Sequence, residues 1–257
     1  MRRLLVLALC AVVSATAHAQ DKSNYPQPES MTPGMTEYWL PQPEVVSPGD
    51  INTYSAPSDA IVLFDGDNLD AWMCSSTNGP AQWHVHDGVF TVVKYKPDIQ
   101  TKQNFSSFQL HLEWCVPENI SGTSQARGNS GVFLQGIYEI QILDSYNNET
   151  YSNGQAGSVY KQTRPLVNVM RKPGEWNVYD IIYNAPIFNS DGTYRVNPTV
   201  TLLHNGVLVL NNVTILGTTE WIGNPKVIPH SDGPIKLQMH GDPSEPISFR
   251  NIWIREL

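Results

Sequence analysis

The stretch TVTLLHNGVLVLNN, residues 199–212, puts Asn205-Gly206 between two apolar, alternating runs. A two-residue Asn-Gly turn takes positive φ at both central positions, which matches the twist of a tight β-hairpin. WHVHDGVFTVV repeats the pattern with Asp87-Gly88 at its tip. AIVLF, FQLHLEWCV, SGVFLQG, YEIQIL, EWNVYDIIYN, PIKLQMH and ISFRNIWIREL also read as strands, many with period-two alternation. No stretch carries an apolar stripe at helical spacing. About 200 residues of evenly spaced strands predict an all-β chain, a two-sheet antiparallel β-sandwich or jelly roll over residues 59–257.

The first 58 residues follow other rules. Arg2 and Arg3, the apolar run from Leu4 to Val13, and Ala17-His18-Ala19 make a secretory signal peptide over residues 1–19, cleaved before Gln20. The apolar run is shorter than the roughly 20 residues of a spanning helix. Cys10 follows Leu9, where a lipoprotein signal needs a small residue, so the expected product is soluble and periplasmic or secreted. Residues 20–58 hold a proline every few positions and predict an extended arm, pinned to the domain by Tyr38, Trp39 and Leu40. Without the signal, 14 basic residues face 24 acidic ones, a net charge of −10. That balance argues against nucleic acid or an anionic membrane as partner. The mature cysteines, Cys74 and Cys115, are too few for a disulfide framework and have no zinc spacing; one bridge or two free thiols both remain open.

Alternation separates the faces of each strand. In FQLHLEW, Leu110, Leu112 and Trp114 oppose His111 and Glu113. In YEIQIL, Ile140 and Ile142 oppose Glu139 and Gln141. In IKLQMHG, Leu237 and Met239 oppose Gln238 and His240. Rows of Glu, Gln and His suit a carbohydrate groove better than a plain wet face, where Lys, Thr, Ser and Glu are common. RGNSGVF brings Arg127 and Asn129 to a strand entry, GSVYK offers Tyr160 and Lys161, and PGEW offers Trp176 as a stacking ring. Each also has a plainer reading, as turn or core. His84 and His86 alternate on one face and could chelate a metal, though beside a hairpin tip they read as surface residues. Nucleophile elbow, phosphate loop and dinucleotide fingerprint are all missing, so no nucleotide cofactor is expected.

The blocks IVLFDGDNLDAW, WHVHDGVFTV, LEW, NSGVFLQGIYEIQILDS, GSVY, PGEWNVYDI, HNGVLVLNN, GPIKLQMHG and ISFRNIWIREL occur in this order. Together they resemble the 3-keto-disaccharide hydrolase family, also described as 3-keto-glucoside lyase and hydratase domains, over Asp59 to Leu257. The resemblance implies a concanavalin A-like jelly roll with a sugar groove on its concave sheet. It implies a 3-keto-glucoside substrate, and an upstream glucoside 3-dehydrogenase to supply it. Glucanases of this fold carry Glu-x-Asp on the catalytic strand; here Gln141 replaces the central acid and Asp144 stands at the end. A retaining glycosidase needs two carboxyls about 5 Å apart, so the amide disfavours double displacement.

A ketone at C3 opens another route. It acidifies the C2 proton, whose removal lets the enolate expel the C1 oxygen; water adding back gives net hydrolysis. The route needs a base, an acid and stabilisation of enolate charge. Glu139 and His240 are the expected proton-transfer pair. Gln141, Gln238 and Asn129 would hold hydroxyls, with Arg127 or Lys161 on the enolate. Glu113 and His111 would contribute to the groove or hold a divalent metal ion. A lectin-like sugar-binding domain, a conventional glucanase and an adhesion module are the competing readings.

Overall fold

A computed structural model describes residues 50 and 52–257; the expected signal peptide and most of the proline-rich arm lie outside the described residues. Fifteen strands run in chain order through the described residues: β1 Ile61–Phe64, β2 Trp72–Cys74, β3 His84–His86, β4 Val89–Thr91, β5 Ile99–Thr101, β6 Phe108–Cys115, β7 Ser130–Leu134 and β8 Tyr138–Ile142, then β9 Trp176–Asn184, β10 Ile187–Phe188, β11 Tyr194–Val196, β12 Thr199–His204, β13 Val207–Thr214, β14 Lys236–Leu237 and β15 Ser248–Glu256. Two 3₁₀ turns, Ser124–Ala126 and Ser152–Gly154, are the helical elements among the described residues. No described helix is long and apolar enough to cross a membrane.

The strands form a β-sandwich jelly roll. Its larger sheet has the order β13-β12-β9-β6-β15-β4-β3, with β1 also pairing β15; the smaller is β2-β5-β14-β7-β8. All named pairs are antiparallel. Both hairpin signals hold. Asp87 and Gly88 take φ 49 and 77, Asn205 and Gly206 take φ 53 and 78, as a primed two-residue turn requires. They close the registers His86↔Val89 and His204↔Val207.

Between the sheets lies the core that alternation marked. Leu110, Leu112 and Trp114 meet Ile140, Ile142 and Leu237, all fully or almost fully buried. Truncating such a side chain costs about 2–5 kcal/mol. Two tyrosines of β9 reach across the sandwich: Tyr179 Oη donates to Gln141 O (2.8 Å) and Tyr183 Oη to Gln135 Oε1 (2.8 Å). These bonds hold the smaller sheet, and with it the row opposite Ile140 and Ile142, in fixed relation to the larger one. Cys74 and Cys115 are both free and buried.

Candidate active site

Register places the polar row. Phe133 lies opposite Glu139 and Gly131 opposite Gln141, while Lys236 pairs with both Phe133 and Gln100. Gln238 continues past β14, its N–H donating to Gly131 O (3.0 Å). Directly opposed residues share a face, so Lys236, Phe133 and Glu139 form one row on the outer face, and Gln238, Gly131 and Gln141 the next. β14 spans only two residues, shorter than the run IKLQMH suggests; His240 therefore stands on a loop beyond the strand.

The face is covered. Residues 157–160 pair along the free edge of β8: Gly157 N–H donates to Gln141 O (2.9 Å), Gln141 N–H to Ser158 O (3.0 Å) and Tyr160 N–H to Glu139 O (3.1 Å). From the other side a loop brings Thr219, whose hydroxyl accepts from Glu139 N–H (2.9 Å). The expected groove is thereby narrowed to a pocket of about 210 Å³, lined by Asn129, Phe133, Glu139, Gln141, Tyr160, Thr219, Trp221, Gln238 and His240. Glu139 is 4 % and Gln141 1 % exposed, so neither belongs to a wet outer face.

The surroundings of Glu139 favour its neutral form. Burial pushes its carboxyl up to about 8; Lys236 opposes the rise and Asp98 adds to it. The neighbouring amide has two orientations open to it. One terminal atom of Gln141 lies 3.1 Å from Glu139 Oε1. In one orientation Gln141 Nε2 donates to Gln125 Oε1 (3.1 Å) and Asn129 Oδ1 (3.3 Å); in the other it donates to Glu139 Oε1 (3.1 Å) and the Ser130 carbonyl (3.3 Å). Turning the amide would face its oxygen to Gln125 Oε1. Gln125 cannot turn in response without losing the bonds from its Nε2 to Thr150 Oγ1 and Gly154 O, both 3.0 Å. Gly131 makes room for the acid: a Cβ there would fall well inside 3.0 Å of Glu139 Oε1.

His240 has its own support. Its Nδ1 lies 2.9 Å from Asp242 Oδ2, and Asp242 Oδ1 accepts from the Ser244 N–H (2.9 Å) and hydroxyl. Burial raises the Asp242 carboxyl, but the hydrogen bonds from His240 and Ser244 outweigh it and hold it below its ordinary value. The carboxylate favours the tautomer with the proton on Nδ1 and Nε2 free to accept; the Asp242 N–H also approaches Nδ1, at 3.3 Å. Gln238 Oε1, by contrast, is buried without a protein partner. A buried acceptor left alone costs about 1–3 kcal/mol, and a ligand hydroxyl would satisfy it.

Of the residues singled out in the sequence, the pocket thus collects Glu139, His240, Gln141, Gln238, Asn129 and Tyr160. Arg127 and Asp144 do not line it: Arg127 Nε pairs with the buried Asp144 Oδ2 at 2.7 Å and steadies the loop. Lys161 is exposed and donates to Trp221 O (2.5 Å). Glu113, Trp176 and His111 need a larger correction, because they belong to the other sheet. Glu113 accepts from Arg250 Nε (2.6 Å) and Asn251 Nδ2 (2.8 Å), Arg250 stacks over Trp176 at 4.1 Å, and His111 lies between the rings of Tyr54 and Trp253. Their alternation was read correctly, but alternation assigns a face without saying which sheet owns it. His84 and His86 are exposed, and no cluster of three or more potential metal ligands occurs among the described residues. Sequence reasoning missed Phe133, Thr219, Trp221, Gln125 and Asp242. Only Asp242, two residues after His240, offered a local signal.

Comparison with known proteins gives the family. A family model described as the 3-keto-alpha-glucoside-1,2-lyase-like domain matches residues 59–255. The chain belongs to that family. A crystal structure of a candidate glycosyl hydrolase from Parabacteroides distasonis is 64 % identical, with a TM-score of 0.86 over 91 % of this chain and all of that one. A second from the same organism is 26 % identical, with a TM-score of 0.53 over 77 % of this chain and 99 % of the other. Among curated proteins none matches. Family and pocket together make this a carbohydrate-active enzyme acting on glycosides.

Proposed function

We propose that the enzyme cleaves 3-keto-glucosides by proton abstraction at C2 and elimination of the C1 oxygen. The observation that carries this reading is the pairing, on one small pocket, of a carboxylate-backed histidine with a buried neutral acid. His240 Nε2 takes the C2 proton, the enolate forms, the C1–O bond breaks, and Glu139 gives its proton to the departing oxygen. The product is a 2-hydroxy-3-ketoglucal. Reversing the roles, with water adding its oxygen to C1 and a proton to C2, gives net hydrolysis. Positioned acid and base groups each contribute about 10²–10⁴-fold. Gln238, Gln141 and Asn129 hold ring hydroxyls. The keto group must be installed upstream by a glucoside 3-dehydrogenase.

A glucanase mechanism fits less well. It needs an ionised carboxylate as nucleophile beside a protonated acid, whereas the neighbour of Glu139 on the catalytic face is an amide. Incubation with a 3-keto aryl glucoside tests the proposal. Wild type should release the phenol, and Glu139→Gln and His240→Ala should each lose about 10² or more of the rate. Release that is unchanged in both variants would refute the assignment.

Residues 1–19 act, in this reading, as a cleaved export signal, so the substrate is met in the periplasm or outside the cell. N-terminal sequencing of the mature protein should begin at Gln20.

A further inference from the structure

Trp221 is the unexplained residue of the pocket. It is 75 % exposed, as is its neighbour Ile222. Exposed apolar side chains are common singly, but this one sits on a loop built to hold it. The loop is tied at its base: Thr218 N–H donates to Lys226 O (2.9 Å), Lys226 N–H to Thr218 Oγ1 (3.1 Å), and Lys226 Nζ lies 3.2 Å from Glu220 Oε1. Its tip is tied to the site: Lys161 Nζ donates to Trp221 O, and the Thr219 hydroxyl accepts from Glu139 N–H. The backbone of Trp221 is thus anchored at the mouth, its indole mostly in water.

The pocket says what covers it. At about 210 Å³ it falls below the roughly 300–1,000 Å³ of sites that enclose drug-sized ligands. That is room for about one sugar ring, which would leave whatever hangs from C1 outside. We infer that Trp221 is the platform on which the leaving group stacks, and that it sets aglycone preference for rings over small alkyl groups. Indole faces pack against the apolar faces of sugar rings and against aromatic rings. This inference rests on the proposed reaction for its substrates, but its test does not need turnover.

In the Glu139→Gln protein, whose turnover should be slow enough for binding to be read first, calorimetry should find a 3-keto-disaccharide bound about tenfold more tightly than methyl 3-keto-glucoside. Adding Trp221→Ala should bring that ratio close to one, and Trp221→Phe should restore part of it. In the otherwise native enzyme Trp221→Ala should raise KM more for disaccharide and aryl substrates than for the methyl glucoside. A ratio near one before Trp221 is altered, or equal losses for every leaving group, would overturn the platform. Equal losses would make Trp221 a cover over Glu139. Failure of all 3-keto-glucosides to bind or react would instead overturn the functional reading.

Discussion

At the scale of single residues, the pocket separates two acids by environment. Glu139 is raised to about 8 by burial, whereas Asp242 is held low by its partners. If Glu139 serves as the acid, kcat/KM should fall as pH rises through about 8, and that limb should vanish in the residual activity of Glu139→Gln. Stability carries the same signature. The folded state binds the Glu139 proton more tightly than the unfolded one, so its contribution is full below about 4.5 and lost as pH rises toward 8. Glu139→Gln should therefore raise Tm by several degrees at pH 8 and change it little at pH 4, measured by calorimetry. Asp242→Asn should cost about 10²–10⁴ in kcat with a small effect on KM, since it disturbs the proton on His240 Nδ1. Alternation put Glu139 on the face that carries the pocket, while His240 reaches it from a loop beyond β14. Asp242 and Gln125 were not legible, because loop residues obey no period.

At the scale of elements, the site depends on how closely β7 and β8 approach. Gly131 stands opposite Gln141, and its missing side chain is the space that the Glu139 carboxyl fills. Gly131→Ala should displace the acid by about an ångström and lower kcat roughly 10²-fold. Circular dichroism of the variant should stay that of the native sandwich. Nothing in SGVFLQG marks that glycine as more than a turn or strand residue; its role appears only once the partner strand is known. Strand positions were legible for most of the long strands through their alternation and their Asn-Gly and Asp-Gly turns. The three-residue strands Trp72–Cys74 and Ile99–Thr101 were not, because three residues are too few to show a period.

At the scale of the whole molecule, the two outer faces divide the work. The smaller sheet carries the pocket. The larger sheet carries a polar network of Glu113, Arg250, Asn251, His111 and Asp180, buried at Glu113 and His111, beside residues 53 and 54, whose carbonyls accept from Asn251 Nδ2. A bulge at Asn251, with φ 46, lets it and Arg250 both reach Glu113. Burial raises the Glu113 carboxyl, but hydrogen bonds from His111, Asn251 and Arg250 outweigh it and bring it to about 2. Its stabilisation is therefore present above about 4.5 and lost as pH falls toward 2. Glu113→Gln should cost about 2 kcal/mol at pH 7, less than a fully buried pair because Arg250 is partly exposed. Its kcat should match wild type, which a groove residue's would not. The sandwich was readable from pattern alone, but sheet membership depends on long-range pairing, and that is why Glu113 and Trp176 were drawn toward the wrong face.

The central claim is that the glycosidic bond breaks by way of the C2 proton. Cleavage of a 3-keto-glucoside in deuterated water, followed by NMR of the 3-keto-glucose formed, reads this directly. Deuterium at C2 of the product is the expected result, with both release and incorporation abolished in His240→Ala. Release of the aglycone with the C2 proton fully retained, or equal turnover of glucosides that lack the keto group, would contradict it.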